Sequence, residues 1–392
     1  VTAIGERGDA AMLANYPPRP LAFVRGVGCS LFDEQGVEHL DLVAGIAVVA
    51  LGHAHPAPIE AFARQAAVLG HISNLYWSEP AVALAERLAE LSGLRGGAFF
   101  CNSGAEANEA LIKLARRRGT ARGGPAKHVI VCLEDSFHGR TMGALAATWA
   151  RAKKDPFEPL PAGFRFVPRN DVAALAAAVS DTTAGILLEP VQGETGVHPL
   201  DPAFLARARE LADEHDALLL LDEVQTGIGR CGTWFAFQQL GVTPDAISLA
   251  KGLGSGVPIG AIVAGTFADP FRPGDHGTTF GGSPPVAAAA LAVLDTIASD
   301  DLVAHAASVG RHLEGALRAV PGVADVRGLG LLRAIELRDR SAAAVADRLL
   351  GEHRVIVNAV TASALRICPP LVLSMAQADR FVGALAAALA QP

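Results

Sequence analysis

The run Ala217-Leu218-Leu219-Leu220-Leu221, closed by Asp222-Glu223, constrains the fold more than any other stretch of this chain. A strand with one wet face alternates apolar and polar residues. An unbroken apolar run of this length instead requires burial on both faces, as at the centre of a parallel sheet covered by helices. Similar runs recur at residues 98–101, 128–132, 164–168, 184–189, 246–250 and 261–264, with helical stretches at 105–118 and 202–215 between them. Strand and helix in alternation predict an α/β fold with a mostly parallel central sheet. In such a sheet, ligands collect beyond the carboxyl ends of the strands, where Asp222 stands.

The two ends of the chain read differently. Residues 22–24, 30–33 and 39–43 are short strand-like runs, and Glu34-Gln35-Gly36 makes a hairpin turn between two of them. Helical stretches at 58–70 and 80–91 each begin near a proline. After helices at 284–299 and 302–320 the alternation resumes on a smaller scale. It runs through strand-like 323–337, helix 342–352, strands 355–358 and 365–367, and helix 375–390. At 392 residues the chain exceeds what one core usually supports. The expected division is a large cofactor-binding domain over residues 56–300 and a smaller α/β domain assembled from residues 1–55 and 301–392.

Composition excludes several classes of function. A formal net charge of −7 argues against general binding to a nucleic-acid backbone. The five cysteines (Cys29, Cys101, Cys132, Cys231, Cys368) are odd in number and far apart, the usage of buried reduced thiols in a cytoplasmic protein. They match neither a disulfide framework nor a zinc site, and no metal is expected. The first residues lack a basic region before a long apolar run, so no secretory signal is expected. The alanine-rich stretch at 286–294 is too short to span a bilayer.

Lysine is rare, with five in the chain, and Lys251 is caught between the strand-like 245–250 and the glycines Gly252, Gly254 and Gly256. An acid at the mouth of one buried strand and a lysine at the mouth of the next suit pyridoxal phosphate. That cofactor needs an amine for its aldehyde and a carboxylate for its ring nitrogen. Asn102-Ser103-Gly104-Ala105-Glu106-Ala107-Asn108 lies where a strand enters a helix. Backbone N–H groups and the helix dipole there can hold a phosphate. Each feature also has a plainer reading. Ser-Gly starts many helices as an ordinary N-cap, Phe137 alone is more often core, and a lone arginine is usually a surface residue.

Taken in order, these motifs resemble the ornithine-type, class III family of pyridoxal-phosphate aminotransferases, nearest its branch acting on N-acetylornithine. The resemblance runs from about residue 15 to the C-terminus. It implies a fold-type I architecture and a homodimer with shared active sites. It further implies that Lys251 carries the cofactor and shuttles the proton, while Asp222 bonds the ring nitrogen. Phe137, beside His138 in Phe137-His138-Gly139-Arg140-Thr141, would stack on the ring, and Gln225 would contact its hydroxyl. Ser103, Gly104 and Ala105 would grip the phosphate, joined by Thr279 from the partner subunit. Arg140 and Arg366 match carboxylate-binding arginines, whose planar fork pairs with a carboxylate in two parallel hydrogen bonds. Glu194 matches a glutamate that pairs with Arg366 for one donor and swings away for the other, and Glu189 is a further active-site acid. Ile46 stands where ornithine enzymes carry a tyrosine that meets the free amine, which implies a poor fit for unacetylated ornithine.

The resemblance implies transfer of the terminal amine of N-acetylornithine to 2-oxoglutarate, giving the semialdehyde and glutamate. Donors such as 4-aminobutyrate, succinylornithine, carrier-bound lysine derivatives or ornithine remain alternatives, as do a decarboxylase or aminomutase of the same fold and a non-catalytic α/β dimer. Val49, Thr195 and Ser283 depart from the acetylornithine pattern, which usually has asparagine, glycine or serine, and asparagine there.

Overall fold

The computed structural model describes residues 3–17, 20–267 and 269–391. The strand Leu218–Asp222 is buried throughout and sits in the middle of a seven-stranded sheet. Thr183–Leu188 flanks it on one side and Ala246–Leu249 on the other, both parallel to it. Val129–Leu133 and Phe164–Val167 extend the parallel part beyond Thr183–Leu188. On the other side Gly260–Ala264 runs antiparallel to both Ala246–Leu249 and the edge strand Gly97–Cys101.

Both faces of this sheet are covered, which explains the unbroken apolar runs. Leu218 and Leu220 join Ile130, Cys132 and Ala246 in a core against the helix Gly104–Gly123. Leu219 and Leu221 point the other way, into the main core with Val131, Ile186 and Ile247. Each such leucine removed from water is worth about 1.5–3 kcal/mol. The alternation also places the chemistry. Asp222 falls in phase with Leu218 and Leu220, so its side chain meets the helix Gly104–Gly123 rather than the opposite layer. Ser248, paired in register with Asp222, does the same.

Three smaller sheets are present among the described residues. The N-terminal strands Phe23–Val27, Ser30–Asp33 and Glu38–Asp41 form an antiparallel meander, and Val355–Ile356 from the far end of the chain adds to it in parallel. The long run at 323–337 is a hairpin, Val323–Leu329 with Leu332–Leu337, because Gly330 (φ 51°) reverses the chain. Ala364–Ile367 and Asn358–Ala359 pair onto it. The single strand expected at 355–358 is therefore two, and its halves serve different sheets. Val191–Gln192 and His198–Pro199 form a short two-stranded ribbon.

One segment breaks the usual backbone rules. Ala44, Gly45, Ile46 and Ala47 follow one another at φ 54°, 64°, 66° and 63°, a single left-handed turn. Each non-glycine residue held so costs roughly 1–2 kcal/mol, and a β-branched one such as Ile46 is a genuine outlier.

Candidate active site

The carboxyl ends of the parallel strands open into a cavity of about 450 Å³. Asp222, at the end of its strand, is 5% exposed and fully engaged. Its Oδ2 accepts from Asn108 Nδ2 (2.7 Å) and lies 2.8 Å from His138 Nδ1. Its Oδ1 accepts from the Val224 N–H at 3.0 Å. Ser248 Oγ donates to Asn108 Oδ1 at 2.7 Å, and Asn108 Nδ2 also donates to the His138 carbonyl at 2.7 Å. Burial disfavours a charge on His138, but the hydrogen bond and charge of Asp222 outweigh it and raise the imidazole above its ordinary pKa.

Lys251 follows the strand Ala246–Leu249 and opens a short 3-10 turn with φ 35°, outside the regions ordinary residues prefer. It is half-buried and lines the same cavity as Asp222. Burial holds its amine below the usual lysine range; Glu194 opposes that shift and Arg366 adds to it.

Ser103 caps the helix Gly104–Gly123, its Oγ accepting from Glu106 N at 3.2 Å. The Glu106 carboxylate turns back and accepts from the Asn102 N–H at 2.5 Å. Ser103, Gly104 and Ala105 line the cavity, and the first N–H groups of a helix have no acceptor within it. Phe137 lines the wall beside them, with Lys153 Nζ 4.9 Å and the Arg140 guanidinium 5.7 Å from its ring centre. Its N–H donates to Glu189 Oε1 at 2.9 Å. Glu189 is buried, and burial pushes its carboxyl up to about 7 against the lowering charge of His138.

At the other end of the cavity, Arg366 is 1% exposed on the strand Ala364–Ile367. Its Nη1 donates to Glu194 Oε1 at 2.5 Å and to the Gly193 carbonyl at 3.0 Å, and its Nη2 donates to Asn358 Oδ1 at 2.5 Å. Burial raises the Glu194 carboxyl, but the charges of Arg366 and Lys251 prevail and hold it below the ordinary range. Gln225 Nε2 also donates to Glu194 Oε1, at 3.2 Å. A β-carbon on Gly193 would overlap the Gln225 amide, so glycine is required for that approach. Among the described residues, Gln225 Oε1, His138 Nε2 and Arg366 Nε are buried without a hydrogen-bond partner.

The chain matches the model of the class-III aminotransferases over residues 11–389. It belongs to that family. Acetylornithine aminotransferase of Mycolicibacterium smegmatis is 48% identical over 386 residues, covering 98% of this chain and 97% of the relative. That of Streptomyces coelicolor is 48% identical over 390 residues, covering 98% and 95%. Among solved structures, N-acetylornithine aminotransferase from Stenotrophomonas maltophilia superposes with a TM-score of 0.83 at 37% identity, covering 96% of this chain and 97% of that one. Ornithine aminotransferase from Toxoplasma gondii gives 0.93 at 29% identity, covering 98% and 94%.

As a class-III aminotransferase the protein is a pyridoxal-phosphate-dependent transaminase, and its cavity fits that group. An amine whose pKa burial lowers, a buried carboxylate, a helix N-terminus and the Gln225 amide line one space. Of the residues singled out in the sequence, Ser103, Gly104, Ala105, Phe137, His138, Arg140, Glu189, Glu194, Asp222, Gln225 and Lys251 line it. Arg366 reaches it through Glu194. Two stand apart. Thr279 is exposed and outside the cavity of its own chain, and Ile46 is 42% exposed while Val48, two residues on, forms the wall. Sequence reasoning did not single out Asn108, Ser248 or Asn358. The available signal was a polar residue inside an otherwise apolar helix face or strand, as at Asn108 and Ser248.

Proposed function

We propose that this aminotransferase moves the terminal amine of N-acetylornithine to 2-oxoglutarate. The observation that carries this reading is the Arg366–Glu194 ion pair, 2.5 Å long, whose Glu194 lines the same cavity as Lys251 and Arg140. Two unlike amine donors must use one site. One has its carboxylate far from the reacting amine, the other adjacent to it. For the long donor, Arg140 takes the α-carboxylate and Glu194 keeps Arg366 neutralised. For glutamate, Glu194 swings away and Arg366 takes the α-carboxylate in a bidentate pair. The unpartnered Arg366 Nε supports that second role.

Bound there, pyridoxal phosphate supplies an aldehyde for the amine and a ring that withdraws electrons from the substrate carbon. The chain does the rest. Asp222, braced by His138 and Asn108, would hold the proton on the ring nitrogen. Lys251, whose burial favours the neutral amine, would take the proton from the donor's amine-bearing carbon and return it one bond away. Ser103, Gly104 and Ala105 would hold the phosphate, Phe137 would cover the ring, and Gln225 would contact the ring hydroxyl. Glu189 fixes Phe137 through its backbone N–H.

The protein works as a homodimer on this reading. Leu75, Tyr76 and Trp77 are 80%, 74% and 91% exposed, three consecutive large apolar side chains whose exposure suits an interaction surface. The same surface continues into the loop that carries Thr279. Asn74 Nδ2 donates to the Thr278 and Gly281 carbonyls at 3.0 and 3.1 Å, and the His71 ring lies tilted against Phe280 with ring centres 5.2 Å apart. Thr279 would then reach the partner's phosphate. A large unit of residues 56–300 and a smaller one of 1–55 and 301–392 belong to the same proposal, supported by the pairing of Leu40 with Val355. The five free, buried cysteines suit the cytoplasm, and no described helix is long and apolar enough to cross a membrane. The reading is tested by kcat/KM for N-acetylornithine, ornithine and 4-aminobutyrate with 2-oxoglutarate as acceptor. N-acetylornithine should lead, and comparable turnover of ornithine would remove it as the donor.

A further inference from the structure

The left-handed turn Ala44–Ala47 ends at the cavity wall. Val48 lines the cavity, and Val49 packs toward Gly256, which lines it too. The turn is closed by its own backbone, Ala47 N to Val43 O at 2.9 Å and Val48 N to Ala44 O at 2.8 Å. Those bonds alone do not explain its hand, since a right-handed turn forms comparable ones without steric strain. Strain of this kind persists only where the surroundings impose it.

The imposing group is Asp41. Its Oδ1 accepts from both the Val43 and Ala44 N–H groups, at 2.8 and 2.9 Å, and so sets the direction in which the turn begins. Its Oδ2 lies 2.7 Å from His53 Nε2, in a pair whose side chains are 2% and 19% exposed. His53 in turn is fixed from behind. It exchanges two backbone hydrogen bonds with Gly28, at 2.8 and 3.1 Å, and its side chain lies so close over Gly26 that a β-carbon there would sit 2.6 Å from its Cβ and 2.7 Å from its ring Cγ. The N-terminal meander therefore holds His53, His53 holds Asp41, and Asp41 holds the turn that delivers Val48 to the cavity.

We propose that Asp41 and His53 are positioning residues for donor selection: they hold the turn in its left-handed form and thereby set where Val48 stands against an incoming amine donor. Neither touches the reacting atoms. The inference rests on the transaminase reading but not on which donor is preferred. It assigns the strained turn a purpose, since a relaxed turn would move the cavity wall and blur the distinction between donors of unlike tail.

The test compares His53→Ala, His53→Gln and wild-type holoenzyme. Each is assayed with the ω-amine donor that the wild type turns over best and with ornithine (4-aminobutyrate, should ornithine itself lead). Which donor wins in the wild type decides the substrate reading; the change in the ratio of the two kcat/KM values decides this one. His53→Ala should lower that ratio about tenfold or more, chiefly through KM for the better donor, because small misplacements of a binding wall carry such costs. Cofactor absorbance and kcat/KM for 2-oxoglutarate should change little. His53→Gln, which can still donate to Asp41, should stay near wild type. Ala44→Gly and Ala47→Gly added to His53→Ala should restore the ratio, since glycine takes the left-handed conformation without strain. A lower melting temperature with an unchanged ratio would overturn the proposal, leaving the pair as a prop for the meander only. Failure of the two glycines to restore the ratio would overturn it as well.

Discussion

Replacing Glu194 with Gln should make the enzyme bind glutamate more tightly. In the wild type, glutamate gains Arg366 only by displacing Glu194, whose Oε1 lies 2.5 Å from the guanidinium. Two unit charges about 4 Å apart attract by about 4 kcal/mol at an effective dielectric constant near 20. The Glu194 side chain is 27% exposed, so solvent screens part of this and about 1–2 kcal/mol is a fair working value. Each 1.4 kcal/mol is tenfold. Glu194→Gln keeps the shape and an acceptor but loses the charge, so glutamate affinity should rise about tenfold. Arg366 stays hydrogen-bonded to Asn358 and Gly193, so the fold should survive the change. Stopped-flow half-reactions separate the two substrates, one with glutamate alone and one with N-acetylornithine alone. Tighter glutamate and weaker N-acetylornithine is the expected pair of results. Glutamate affinity unchanged or lower would refute the idea that Glu194 competes for Arg366.

Two further predictions concern the assembly and a buried acid. Lys251→Ala and Thr279→Ala homodimers should both be crippled, yet co-refolded mixtures should regain activity, because a mixed dimer holds one site with both residues intact; absence of complementation would place Thr279 in its own chain's site. Glu223 is 1% exposed, and burial pushes its carboxyl up to about 7 despite hydrogen bonds from Thr226 and the Phe237 N–H. Its folded pKa lies above its unfolded one, so the stability it contributes is full below pH 4 and lost as pH rises through about 7. Melting temperature should therefore fall more steeply from pH 5 to 8 in the wild type than in Glu223→Gln, and parallel curves would contradict this.

The sheet was legible because its signal is a single physical fact, burial on both faces. Leu218–Asp222 and the helices Pro284–Ser299 and Met375–Ala390 lie where the residue pattern put them. Short helices without a periodic stripe, such as Met142–Ala146 and Val172–Ala178, left no such trace. The strand expected at 355–358 divides because its two halves answer to different neighbours, Leu40 for Val355 and Arg366 for Asn358, a choice made by tertiary contacts. The site was legible where a residue type is rare or out of place, as with Lys251 and Asp222. It was hidden where an ordinary residue acts through another. A polar residue on an apolar helix face flags Asn108, but nothing local pairs it with Asp222, or His53 with Asp41. The left-handed turn was the least legible of all, since Ala-Gly-Ile-Ala carries one glycine and no other sign of its hand.

The departures from the acetylornithine pattern find partial accounts. Val49 packs toward Gly256 at the cavity wall, and Thr195 Oγ1 donates to the Asp135 carbonyl at 3.2 Å, so it is tied down away from the ion pair. Ser283 occupies the N-cap of Pro284–Ser299 without a side-chain capping bond, and nothing in the structure explains its replacement of asparagine.

The central claim is that Lys251 carries the cofactor and that N-acetylornithine delivers its terminal amine there. The visible spectrum of the purified holoenzyme tests both at once. The absorbance of the lysine-bound cofactor should bleach on adding N-acetylornithine, return on adding 2-oxoglutarate, and be absent in Lys251→Ala. A band that persists with N-acetylornithine but bleaches with another amine would overturn the substrate, and an unaltered band in Lys251→Ala would overturn the account of the site.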